Sequence, residues 1–363
     1  MIKGTKEYGH GEFTYPRGWF MVSDTGELTD KPLPVRFWGQ DFVLYRGKSG
    51  KVVMLDAYCP HMGTHLGHNT TSYVVQDGQI EGDSIRCPYH AWRFGADGKC
   101  NHIPYYDGPI PKAAAVRSHP VQERYGCIFA WHDPEGQAPD MALPEIPEWD
   151  DASWVKWNVV RLGVIDCHPT EVIDNMADLP HLGPVHGAPV EYFENEFKGH
   201  VCIQRQGGFS RWLNGVLETD TRYTGPAILT SYYRGPFNAV TFICNTPVDD
   251  GTTRVWTGTM VKAANFPVTE ADVKLAREQE AASVHAFSQD FEIWNNKAPA
   301  VNILQIPTDG PFDKNRLWYK QFYNPRARQK DFIGRIEGVH FVKGMPSQAQ
   351  FRAAAAEKKG AAE

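Results

Sequence analysis

Between Trp38 and Trp131 the apolar residues come in short runs cut by Gly, Asp and Asn, a rhythm that predicts short β-strands and tight turns. The segment DFVLYRGKSGKVVMLDAYCPH reads as one hairpin and IFAWHD as a later strand. The pattern lapses over residues 133–151, DPEGQAPDMALPEIPEWDD, which are Pro-rich, acidic and without period, and predict a crossing between domains. From about residue 200 to 262 the alternation lengthens, in stretches such as ILTSYYR, AVTFICNTPV and TRVWTGTMVKA, and predicts long antiparallel strands. A long helix is expected over TEADVKLAREQEAASVHAFSQDFEIWNN, with Thr269 as its N-cap and acids in the first turn. The C-terminal SQAQFRAAAAEKKGAAE fits a helix or a frayed tail.

Composition narrows the classes. A chain of 363 residues is too long for one small core and divides most naturally into two domains or one large one. With 42% hydrophobic, 22% charged and 12% aromatic residues it is an ordinary globular protein, and a net charge of -6 offers nothing to nucleic acid or an anionic membrane. A small-molecule or protein partner is therefore expected. The start, MIKGTKEYGHGEF, lacks the apolar core of a signal peptide, and no apolar run approaches the roughly 18 residues of a membrane span. The default expectation is a cytoplasmic location. The cysteines, at 59, 87, 100, 127, 167, 202 and 244, are odd in number and scattered, as suits a reduced compartment. Five of them read as small buried residues; Cys59 and Cys87 stand apart.

CPHMGTHLG from Cys59 and CPYHAWRFGADGKC from Cys87 each supply one thiolate and one imidazole, Cys59 with His61 and Cys87 with His90. Two Cys and two His also suit a tetrahedral zinc site. Structural zinc motifs, however, usually pair like ligands on tight knuckles, whereas C-x-H followed by C-x2-H gives one mixed pair from each of two loops. That arrangement resembles a Rieske [2Fe-2S] centre, in which two Cys hold one iron and two His the other. Pro60 and Pro88 stiffen both loops, Gly63, Gly95 and Gly98 allow tight turns, and Trp92 is expected to pack below the cluster. The interval between His61 and Cys87 is longer than usual in this family, and NTTSYVVQDGQ is expected to form a surface excursion. His65 and His68, inside that interval, read as local polar residues and not as ligands.

In DNMADLPHLGPVH, Asp178 and His181 are three apart and share a helix face, so the carboxylate could accept a hydrogen bond from the imidazole. His181 and His186, five apart, would point about 140° away from each other on an unbroken helix. Gly183 and Pro184 are the expected break that lets them converge on one cation, with Asp178 orienting the nearer ring. A pair of histidines near a helix end is a weak signal alone.

Together, a Rieske motif followed by Asp174, Asp178, His181 and His186 in E/D-x3-D-x2-H-x4-H resembles the signature of Rieske non-haem iron oxygenases, and the resemblance runs from YPRGWFMV at Tyr15 to QFYNP ending at Pro325. It implies a mononuclear Fe(II) on two His and one carboxylate, with positions left open for dioxygen. SQDFEIWNNK offers Asp290 and Glu292 as the third ligand, and the family pattern selects Asp290. Asp178 is carried over as the acid linking His181 to the Rieske His90 of a neighbouring subunit, which implies a homotrimeric ring, and Asn175 as a neighbour of the iron or a plain helix hydrogen-bonder. The implied fold is α+β: an all-β Rieske domain over 15–150, and over 151–363 a helix-grip, START-like catalytic domain with a curved antiparallel sheet, on which residues 1–14 pack.

With neither a dinucleotide fingerprint nor a flavin motif, the chain is expected to take electrons from an NAD(P)H-dependent flavin/iron-sulfur reductase. FSQDFEIWNNKAP, RLWYKQFYNPRA and YCPHMGTHLG look most like the 3-ketosteroid 9α-hydroxylase oxygenases and their sterol-desaturating relatives, which implies a Rieske-type monooxygenase for an apolar polycyclic substrate. The aromatic strands around SYYRGPFNAVTFIC fit an apolar cavity or plain core. Hydroxylation of an aromatic acid, O- or N-demethylation and sterol desaturation are alternatives. A pure Rieske electron carrier would need no second iron, and a lipid-binding helix-grip module would need none at all.

Overall fold

The computed structural model of the chain describes residues 2–360, apart from 189 and 212. It separates into two compact units, one of Trp19–Asp140 and one of Met1–Gly18 with Met141–Glu363. Residues 141–150, which the resemblance placed with the first domain, belong to the second unit, where Met141, Leu143 and Ile146 are buried apolar anchors inside the Pro-rich crossing.

The smaller unit is built of short antiparallel strands. Leu33–Phe37, Gln40–Arg46, Val52–Asp56 and Ser118–His119 form one sheet, with the expected hairpin as its centre. Ile80–Glu81, Ser84–Arg86, Arg93–Phe94 and Cys100–His102 form a second. Their shared core includes Val43, Tyr45, Leu55, Leu66, Ile85 and Phe94, and it takes in Cys59 and Cys87.

The larger unit is organised by a nine-stranded antiparallel sheet among the described residues. In chain order its strands are β1 (Trp154–Val155), β2 (Val160–Ile165), β3 (Tyr192–Lys198), β4 (Val201–Ser210), β5 (Gly215–Thr224), β6 (Ile228–Arg234), β7 (Ala239–Pro247), β8 (Thr253–Lys262) and β9 (Gly338–Phe341). The run β4 to β8 is a meander in register, so side chains level with one another on neighbouring strands form straight rows on one face. Two short helices precede β3, α1 (Pro169–Asp174) and α2 (Leu182–His186).

The long helix α3 (Glu270–Asn296) starts as the sequence predicts: Thr269 accepts from the Asp272 amide while the Asp272 carboxylate takes the Thr269 amide, a reciprocal capping box. Its N-terminal half packs by Ala276 near Tyr233, Ala239 and Val261, and its C-terminal half by Phe287, Phe291 and Trp294 near Ile243, Val255 and Val172. A further helix, α4 (Phe312–Lys320), adjoins α1, and Gln348–Gly360 is helical; the last three residues of the predicted tail lie outside the described residues. Strands and helices thus segregate in a mixed α+β architecture. Among the described residues no helix is long and apolar enough to cross a membrane.

Candidate metal centres

The two Cys-His loops fold alike. Cys59 N–H donates to Thr64 O and Gly63 N–H to Cys59 O, both at 2.9 Å; Cys87 N–H donates to Trp92 O at 2.7 Å and Ala91 N–H to Cys87 O at 3.0 Å. The fourth residue after each cysteine is left-handed, Gly63 at φ 72° and Ala91 at φ 56°. Glycine takes that conformation freely, and alanine takes it under strain.

These turns aim main-chain amides inward, those of His61 and Met62 at the Cys59 sulfur and those of Tyr89 and His90 at the Cys87 sulfur. The hydrogen bond shared with Cys59 and then these amides pull the Cys87 thiol below the usual thiol range, while the same shared bond and burial push Cys59 up. Both sulfurs are buried, His61 is exposed, and the His61 and His90 rings lie 4.7 Å apart between centroids. Two thiolates held by N–H donors and two outward imidazoles fit a [2Fe-2S] cluster.

Trp92 packs against the core that holds Cys59 and Cys87 and stacks on His61 at 4.5 Å and 8°, and its indole N–H donates to Tyr105 Oη at 2.7 Å. His65 serves its own turn, accepting the Gly67 and His68 amides on Nδ1 at 3.0 and 3.1 Å; burial pushes its imidazole down to about 4. The excursion carries a single helical turn, Tyr73–Gln76, capped by Ser72, with Tyr73 81% exposed.

In the larger unit the histidine segment differs from its sequence reading. Gly183 and Pro184 are not a break; both lie within α2, where Pro184 occupies an early position whose N–H has no intrahelical partner to lose. The chain breaks earlier, between the end of α1 and Pro180, in a turn held from outside. Asn195 Nδ2 donates to Met176 O at 2.6 Å, and Gln204 Nε2 to the carbonyls of Asn175 and Met176 at 3.2 Å. Gly310 lets the turn sit close, since a Cβ there would stand 1.8 Å from Ala177 O.

Asp178 also orients His181 differently from the expectation. His181 Nδ1 contacts the Asp178 main-chain carbonyl, the carboxylate Oδ2 stands 3.7 Å from the ring, and Oδ1 accepts the His181 amide at 3.3 Å. If Nδ1 donates, Nε2 keeps its lone pair for a metal. His186 is fixed in the same sense by a residue the sequence did not single out, Gln289, whose Oε1 is 3.1 Å from Nδ1.

His186 Nε2 lies 3.4 Å from Asp290 Oδ2, the two histidine rings are 5.2 Å apart, and ligand atoms of His181, His186 and Asp290 all fall within 4.8 Å of one another. Burial works against charge on His186, but the Asp290 carboxylate outweighs it and holds the imidazole above its usual range. Glu292 is exposed, whereas Asp290 is buried, so α3 offers the second carboxylate to solvent and the first to the histidines. Two imidazoles and one buried carboxylate within reach of one another are the donor set of a mononuclear Fe(II) site.

Asp174, first acid of the motif, faces α4. Arg316 grips it through Nη2 at 2.6 Å and Nε at 3.1 Å, and burial raises the carboxyl to about 6. His181, Asp290 and Asn175 share a cavity of about 140 Å³, with Phe287, Leu229 and Ile243 among its apolar walls. The sequence reading made this cavity apolar; Gln204, Thr221, Ser231 and Thr241 line it as well.

Two family models match the chain: the 3-Ketosteroid 9alpha-hydroxylase C-terminal domain over residues 130–323, and the Rieske [2Fe-2S] domain over residues 18–120. The "Probable 3-ketosteroid-9-alpha-monooxygenase, oxygenase component" of Rhodococcus rhodochrous is 35% identical over 329 residues, covering 85% of this chain and 80% of that protein. The Cholesterol 7-desaturase nvd of Xenopus laevis is 29% identical over 355 residues, 88% of this chain and 74% of that protein. Among solved structures, Pseudomonas putida CBB5 NdmB superposes with a TM-score of 0.67 at 17% identity over 94% of this chain and 98% of its own, a likeness of fold.

Proposed function

The chain belongs to the 3-ketosteroid 9α-hydroxylase oxygenase family of Rieske non-haem iron oxygenases, and from that premise we propose that it hydroxylates an apolar polycyclic substrate, a 3-ketosteroid. It is the oxygenase component of a Rieske-type monooxygenase, with a [2Fe-2S] cluster, a mononuclear iron and a separate reductase as electron source. In the proposed assignment Cys59, His61, Cys87 and His90 hold the cluster, and His181, His186 and Asp290 hold the iron. The observation that carries the reading is the convergence of those three side chains, with His181 and Asp290 on the wall of a cavity.

When bound, the iron supplies an open position for dioxygen, and the cluster supplies electrons one at a time. The protein's own residues set the stage. Asp178 O and Gln289 Oε1 hold the two imidazole tautomers with Nε2 forward, and Phe287 and Leu182 exclude water from the reacting carbon. Asn175 is proposed as a neighbour of the iron on the same wall. Asp178 is further proposed to receive electrons from His90 of a neighbouring subunit in a homotrimer; support comes from its carboxylate, 32% exposed beside His181. A cytoplasmic location belongs to the same proposal, supported by seven free, buried cysteines.

The cholesterol 7-desaturase relative favours one second reading, desaturation in the same cavity. Aerobic turnover with an NADH-dependent reductase and a panel of 3-ketosteroids and sterols, read by product mass, separates the two. Gain of one oxygen on a ketosteroid is expected, loss of two hydrogens from a sterol selects the second reading, and product from neither class removes the steroid assignment.

A further inference from the structure

The sheet face lining the cavity carries two level rows. Tyr223, Leu229 and Ile243 are register partners in the first. One step along each strand, roughly 7 Å away, Gln204, Thr221, Ser231 and Thr241 are register partners in the second, which continues to Thr259. The apolar row is nearer the iron ligands, because Ile243 packs with Phe287 beside Asp290, whereas Tyr233 and Ala239, on the far side of the polar row, pack with Ala276 near the start of α3.

A wall built only to exclude water would carry Val and Ala at these positions, since a buried hydroxyl costs free energy unless it is hydrogen-bonded. Instead Thr221, Ser231 and Thr241 are each at most 9% exposed. Thr221 Oγ1 and Ser231 Oγ are 2.7 Å apart, Thr241 Oγ1 and Thr259 Oγ1 are 2.8 Å apart, and the Tyr233 hydroxyl is within hydrogen-bonding reach of Ser231 and Thr241. The Thr221–Ser231 and Thr241–Thr259 pairs each use one O–H for their mutual bond and leave one, so the Thr221–Ser231 pair, both members of which line the cavity, keeps one spare donor on its wall. All of these hydroxyls except that of Thr259 line the cavity. The described lining residues include no Lys or Arg, so the spare donor faces no counter-cation that would settle a carboxylate.

We propose that Thr221, Ser231, Thr241 and Tyr233 form a specificity-determining subsite that donates a hydrogen bond to a neutral carbonyl oxygen of the substrate, at the end remote from the oxidised carbon. This deepens the steroid reading and rests on it only for the identity of the ring system. It sorts ketones from hydrocarbons by leaving the donor unpaired when the oxygen is missing, and it turns away ring acids, whose charge would be buried uncompensated.

The test is equilibrium binding to the metal-loaded holoenzyme, followed by tryptophan fluorescence, of a 3-ketosteroid, its 3-deoxo analogue and an apolar ring carboxylic acid of similar size. The wild-type protein should bind the ketone about ten-fold more tightly than the deoxo compound and the acid more weakly than the ketone. Thr221→Val/Ser231→Ala/Tyr233→Phe/Thr241→Val, which removes every hydroxyl of the subsite, should abolish the ketone's advantage and leave deoxo binding unchanged, whereas Thr241→Ser should preserve it; in turnover the fourfold variant should raise KM and spare kcat. Equal wild-type binding of ketone and deoxo compound, tight binding of the acid, or a fourfold variant that loses both steroids alike would overturn the subsite. Should the fourfold variant not fold, the wild-type pair decides alone. If no steroid binds, the same comparison with a smaller cyclic ketone and its parent hydrocarbon separates failure of the steroid reading, where the ten-fold preference persists, from failure of the subsite, where it is absent.

Discussion

The cluster loops and the iron site reach similar ends by opposite means. In the smaller unit every proposed ligand lies within three residues of its partner, and the backbone of the same loop closes the turn and aims amides at sulfur. In the larger unit the third proposed ligand comes from α3, more than a hundred residues beyond the histidines, and the turn before His181 is pinned by Asn195, Gln204 and Gly310 from other elements. A site made of local turns needs only its loop, whereas a site made by packing fails when any supporting element moves.

The sharpest way to separate the two regions is Asp290→Ala. Loss of one of three ligands should remove the mononuclear iron and cut turnover by at least about a thousand-fold, while the visible spectrum of the cluster stays intact. Cys87→Ser should do the reverse, bleaching the spectrum with iron retained at the second site. Coupled loss of both metals in either variant, read by metal analysis and absorbance, would show that the regions are not independent.

Next in size is Arg316→Met, which leaves the Asp174 carboxylate buried without its partner. A cost of about 3–5 kcal/mol is expected, seen as an earlier thermal transition of the larger unit with the cluster absorbance lost later. Gln289→Ala should be milder, weakening iron affinity about 10- to 100-fold by freeing the His186 ring, with little change in melting temperature.

Smallest is an acid effect in the larger unit. Burial and then the Arg316 charge hold His168 down to about 3, and burial with His168 holds His10 well below its usual value. The folded state therefore keeps both neutral while the unfolded chain takes up protons below about pH 6.5. Stability should be complete above pH 7 and decline as pH falls from about 6.5 towards 3, offset in part between about 6 and 4 by Asp174, whose raised carboxyl protonates earlier when folded. His168→Asn, which keeps an acceptor for the Thr170 amide, should flatten that decline in urea titrations. An unchanged slope would place the acid sensitivity elsewhere.

Much of the molecule was legible in one dimension because the relevant physics is short-ranged. Thr269 with Asp272 marked the start of α3, alternation marked the meander, and C-x-H with C-x2-H marked the paired loops. Helical geometry misled at Gly183 and Pro184, since rules for an isolated helix do not know that strand residues will hold the preceding turn open. Nor does any local pattern mark Gln289, which meets His186 only through the face that α3 turns inward.

The sequence by itself determined the two-part organisation, the strands, the long helix and the residue types of the proposed ligands, because spacing, caps and alternation act within a few residues. Only the tertiary structure decided where the chain breaks before His181, that Gln289 meets His186, and that Thr221, Ser231 and Thr241 stand level on three strands. Those facts depend on strand register and helix packing, which bring distant residues together at separations that no local rule measures.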